Sequence, residues 1–121
     1  MNKEINQKRT KLFGLGLIRL VEALPESATA ATIGGQLLRS GNTVGAKYRA
    51  AVNAFSKKEA LAHLRMAHER ADESLYLMEL LVESKAVDGE RIRPLMTEAE
   101  ALVRLLREEA IEMQAEIVQG D

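Results

Sequence analysis

Two histidines, a knot of carboxylates and a scatter of cations are the residues from which this chain could build chemistry. His63 and His68 are five positions apart, which on a helix is about 140° of rotation, so one helix cannot aim both at one metal. Glu59 lies four residues before His63, and Asp72 four after His68. Di-metal sites in helical bundles use a Glu three residues before a His on each of two helices, with further inward carboxylates. That spacing is missing here, so no metal is expected. His68 fits a seam position bonded to a polar neighbour, and His63 a surface one.

Glu69, Asp72 and Glu73 would need burial and a cleft to work as acid and base. Nothing around them supplies either, and a solvated or interfacial salt-bridge face, meeting Arg39 or Arg49, is expected instead. There is no cysteine, hence no disulfide, thiolate site or Cys nucleophile. The five methionines stand at core spacing and read as packing. Gly34-Gly35 lacks the preceding strand that a phosphate loop requires. No catalytic residue and no cofactor are expected.

Lys8, Lys11, Arg19, Arg39, Lys47, Arg49, Lys57 and Lys58 could together clasp phosphates, with affinity that falls steeply with salt. Aromatic residues, on which bases would stack, are only 3% of the chain. Net charge is −1, which argues against a general nucleic-acid binder. The average hides an asymmetry. Residues 1–60 carry ten Lys and Arg against four Glu, whereas residues 61–121 carry seven against fourteen Asp and Glu. Blocks of opposite sign are expected to attract one another within or between subunits.

At 121 residues the chain fits one domain, 1–121, long enough to bury a core without staples. Apolar residues are 46% and only two are proline. Abundant Ala, Leu, Glu and Arg point to an all-α protein. The start, MNKEINQKRTKLF, lacks the apolar run of a secretion signal. No segment is apolar enough to span a membrane, and a cytoplasmic location is expected.

The first helix is expected from about Asn6 to Leu24, with Phe13, Leu17, Leu20 and Leu24 on one face widened by Leu12, Ile18 and Val21. Gly14 and Gly16, poor helix residues, imply close contact with another helix. Pro25 ends this helix. The second begins near Ala28–Thr32 and runs to about Asn53, with Ile33, Leu37, Gly41, Val44, Tyr48, Val52 and Phe55 in line. Ser56-Lys57-Lys58-Glu59 reads as a capping box, with Glu59 reaching back to the Ser56 amide. The third helix follows to about Ser84, its seam Leu61, Leu64, His68, Ala71, Leu75, Met78 and Val82. Val87-Asp88-Gly89 turns into a fourth helix from about Gly89 to Val118, where Pro94 implies a kink or a later start. Short connections predict an antiparallel up-down-up-down four-helix bundle. Leu77, Leu80, Leu81 and Leu105 fall off the predicted seams and are expected to form a second apolar surface that buries itself between copies.

The run Gln36-Leu37-Leu38-Arg39-Ser40-Gly41, then Val44-Gly45-Ala46-Lys47-Tyr48-Arg49, Ser56-Lys57-Lys58, and Glu69-Arg70-Ala71-Asp72-Glu73-Ser74-Leu75-Tyr76 through Leu81, resembles the four helix bundle protein family. Members of that family are encoded in intervening sequences of bacterial 23S ribosomal RNA genes. The resemblance implies a bundle assembling into a homopentamer with no established molecular function. A related branch, the accessory protein of diversity-generating retroelements, implies binding of RNA or DNA and of a nucleic-acid-processing protein. Lys47 and Ala50 stand where the family commonly has Asn and Glu, and the net charge is not that of the basic branch. The leading expectation is therefore a non-enzymatic oligomeric scaffold or adaptor. The alternative is a nucleic-acid-binding accessory protein.

Overall fold

Each helix starts where a short polar side chain can take up an orphan backbone amide. In the computed structural model, which describes residues 2–120, Asn2, Ser27, Ser56 and Asp88 accept from the amides of Ile5, Ala30, Glu59 and Glu90 at 3.3, 3.0, 3.1 and 3.1 Å. These caps open α1 (Lys3–Glu22), α2 (Ala28–Val52), α3 (Lys57–Glu83) and α4 (Gly89–Val118). Capping by Asn2 moves the start of α1 ahead of the expected Asn6. The box at Ser56 differs from expectation in one bond: Glu59 Oε2 accepts from the Phe55 amide at 3.1 Å, one residue upstream of Ser56.

The α3–α4 connection, residues 84–88, takes in the expected Val87 and Asp88 and bends earlier, at Lys85. Lys85 takes a left-handed φ of 66°. The Ala86 amide bonds Leu81 O at 3.0 Å and the Lys85 amide bonds Val82 O at 2.9 Å, which closes the end of α3 in a Schellman motif. Pro94 lies within a continuous α4 and costs that helix one main-chain bond.

Among the described residues, α1 packs on α2, α2 on α3, α3 on α4, and α4 back on α1, the last seam being the thinnest. Across the diagonals the backbones stay apart among the described residues, and Tyr48 of α2 reaches Glu109 of α4 only through its side chain. This is the all-α up-down bundle that the short connections predict. The core holds Phe13, Leu17, Leu37, Val44, Tyr48, Leu64, Met78, Leu81, Ile92, Leu102 and Leu106.

The seam of α3 is rotated from expectation. Ala67, Ser74 and Leu81 are buried, while His68, Leu75 and Val82 lie half-buried beside them. A helix gripped by two neighbours buries a wide arc, and a seven-residue pattern drifts about 20° per heptad round a straight helix. The expected second apolar surface is corrected for the same reason. Leu77 and Leu81 are core residues, and Leu80 and Leu105 pack against that core. Leu12 and Ile18, placed in the core by their spacing, face outward instead. Phe55 lies beyond the end of α2 and is 99% exposed.

Glycine sets how near α1 and α2 come. A methyl added at Gly41 would run into the buried Leu17 side chain, and one at Gly14 would lie 3.2 Å from Asn42 Oδ1. Gly35, on the same helix, faces open space. Gly41→Ala is expected to lower stability by about 1–3 kcal/mol through overpacking. Gly35→Ala should raise it by about 0.5–1 kcal/mol through helix propensity alone. Urea titrations of the two variants check the opposite signs.

Candidate interaction surface

One end of the bundle holds a polar cluster that ties three helices together. Tyr48 on α2 donates its hydroxyl to Glu109 Oε1 on α4 at 3.0 Å. Asn6 on α1 donates its amide to the same oxygen at 3.1 Å, and to the Tyr48 oxygen at 3.3 Å. All three side chains are buried. The second Glu109 oxygen, Oε2, is buried without a partner. Outside this cluster, Arg9 Nε and Nη2 grip the two oxygens of Glu98 at 2.7 and 2.9 Å, a two-pronged contact that fixes α1 against α4.

Of the eight cations proposed for phosphate contact, three converge. Lys8, Lys11 and Arg49 line one groove between α1 and α2, of volume ≈ 610 Å³. Its floor carries Gly14, Gly41 and Gly45, and its wall Leu15 and Ile18. The other five are dispersed. Arg39 opens into a separate notch between α2 and α3, and Lys47 is half-buried on that same flank of α2. Lys57 bridges Glu116 at 3.3 Å, and Arg19 and Lys58 are exposed elsewhere. The groove continues into an apolar strip on the outer face of α1, where Ile5, Leu12, Leu15 and Ile18 are 59%, 59%, 42% and 37% exposed.

The carboxylate cluster stays on the surface, as its surroundings predicted. Glu73 accepts from the Ser40 hydroxyl and from Arg70 at 2.9 Å, not from Arg39 or Arg49. The Ser40 hydroxyl, helped by Arg70, holds its carboxyl below the ordinary range. Among the described residues no group of three His, Asp or Glu is placed to hold a metal. His63 Nε2 lies 3.8 Å from Glu59 Oε1, and His68 borders a notch with Arg65 and Arg107 rather than occupying the seam. No helix of the described residues is long and apolar enough to cross a membrane.

The profile of the 23S rRNA-intervening sequence proteins matches residues 3–108. The chain belongs to that family. The match takes in α1, α2, α3 and all but the last turns of α4, and therefore both walls of the groove. The fold is also similar to a crystal structure of a protein of unknown function from the S23 ribosomal protein family of Bacteroides thetaiotaomicron. The two are 24% identical over 91% of this chain and 98% of that one, with a TM-score of 0.84. A comparison with curated proteins finds no match.

Glu109 and Asn6 escaped the sequence reading, although a signal was there: Leu102, Leu106, Glu109 and Met113 recur at spacings of four, three and four, which places a charge on the buried stripe. Burial pushes the Glu109 carboxyl above its ordinary range, against the Tyr48 and Asn6 hydrogen bonds that hold it down. Such a group stabilises the fold while protonated and gives that stability up as pH rises through its native pKa. Glu109→Gln keeps an acceptor for Tyr48 and Asn6 and removes the charge. Its stability relative to the parent chain should therefore be greater at about pH 8 than at about pH 5. Urea unfolding at the two pH values measures this, and a constant difference would refute it.

Proposed function

We propose that this family member is a non-enzymatic scaffold or adaptor of the cytoplasm that works by self-association. The observation that carries the reading is the exposure of Ile5, Leu12, Leu15 and Ile18, large apolar side chains of one helix that face outward among Lys8 and Lys11. Isolated apolar side chains are normal on a monomer, but four exposed on one side of a single helix, beside a groove, favour a surface that is covered. Ile111 on α4, 59% exposed, adds a second such point on the other pair of helices. The four-helix bundle resemblance suggests five copies. Sedimentation at micromolar concentration should then give a single species at five times the 13.4 kDa chain mass. A clean monomer would refute self-association, and another discrete size would refute only the copy number.

A second reading is favoured by the convergence of Lys8, Lys11 and Arg49 on one groove: contact with the phosphates of a structured RNA or DNA. Three phosphate contacts predict that affinity for a labelled RNA falls at least about tenfold between about 50 and 200 mM salt. Lys8→Ala with Lys11→Ala should flatten that dependence. Absence of binding at the lower salt removes this reading.

A further inference from the structure

The two candidate surfaces lie on opposite sides of the molecule. Because the backbones of α1 and α3 each lie against α2 and α4, while those of the diagonal pairs stay apart among the described residues, the face made by α1 and α2 is opposite the face made by α3 and α4. The groove side carries the exposed cations Lys8, Lys11 and Arg49 around a floor of glycine, with Leu15 and Ile18 partly uncovered. At the other side, the last turns of α4 carry the reverse pattern. From Glu108 to Val118 this helix has no Lys or Arg. Its outward edge places the exposed Ile111, Ala115 and Val118 at helical spacing beside the exposed Glu108 and Glu112. Arg65 and Arg107 lie on the α3 side of Ile111, and Arg65 already donates to Gln114 at 3.1 Å.

An edge of this kind, apolar in the middle and acidic along one flank, fits a basic groove with an apolar wall. The groove floor favours the fit, since glycine raises no side chain against an incoming helix. Contact between unlike surfaces sets Lys8, Lys11 and Arg49 against Glu108 and Glu112, a pairing that a two-fold contact through either surface alone does not make. We infer that copies of this chain join head to tail, with the Glu108–Val118 edge of α4 from one copy seated in the α1–α2 groove of the next. This rests on the self-association proposed above and names its surfaces. A head-to-tail contact uses two different patches on every copy, so it closes as a ring where the rotation allows, and one damaged patch weakens every junction.

Charge reversal tests it on the intact chain. Lys8→Glu with Lys11→Glu, and separately Glu108→Lys with Glu112→Lys, alter exposed side chains outside the core, and helical circular dichroism confirms folding of each. Each double variant should weaken association at least about tenfold, as like charges are brought together. The quadruple variant, carrying all four changes, should recover it, because the pairing is restored with its sign inverted. A parent chain that sediments as a monomer overturns self-association itself. A parent oligomer that survives both double variants leaves self-association standing and overturns this pair of surfaces. Failure of the quadruple variant to recover also overturns it, and so does an oligomer that falls apart on nuclease treatment, which would put nucleic acid in the groove.

Discussion

The separation of α1 and α2 is set by missing side chains. At Gly14 and Gly41 the neighbouring helix occupies the space that a Cβ would need, and Gly45 has the Thr10 backbone carbonyl within 3.4 Å of where its Cβ would be. Close approach brings Leu17 fully inside and pushes longer side chains to the rims. Lys8, Lys11 and Arg49 therefore stand up round a glycine floor, and the groove exists because its floor is empty. Gly16 repeats the device toward α4, where a Cβ would lie 2.7 Å from Leu95. The glycines weaken α1 and α2 as isolated helices, so the shape of both depends on tertiary packing.

The cluster of Asn6, Tyr48 and Glu109 works in the opposite sense. Burying a carboxylate with one oxygen unpaired costs stability, yet the bonds it makes define which helices meet at that end and in what register. An apolar filling would be indifferent to a small slide of one helix along another, whereas two donors aimed at one oxygen are not. The bidentate contact of Arg9 with Glu98 sits next to it along the α1–α4 seam, one turn on from Asn6 in α1 and about three turns back from Glu109 in α4. Between them the two contacts hold a seam that has little apolar area.

Fold class, helix number and the cap at Ser56 were legible in the sequence, because periodicity and N-cap residues are local signals. The side chains turned outward were harder to read. Leu12 and Ile18 look like core residues when a helix is scanned alone, and Leu77 and Leu81 look like surplus. Which residues are buried depends on where the neighbouring helices stand, and no single helix encodes that. The same holds for the cations: eight are spread along the first half of the sequence, but the side of α2 on which each falls separates Arg49 from Arg39 and Lys47. Glu109 was hidden by its type, since charge is usually read as surface.

The thin seam has a consequence for the order in which the molecule comes apart. The helix α1 is the shortest, at 20 residues, contains two glycines, and meets α4 only sparsely. Its departure as a unit would break fewer contacts than that of any other helix and would leave a three-helix remnant of α2, α3 and α4. Amide protons of α1 would then exchange with solvent ahead of the others, together and not one by one. That motion would strip one wall from the groove and wet Glu109 in a single event, so the ionisation of one buried acid and the integrity of a surface on another side of the bundle are coupled through the same helix.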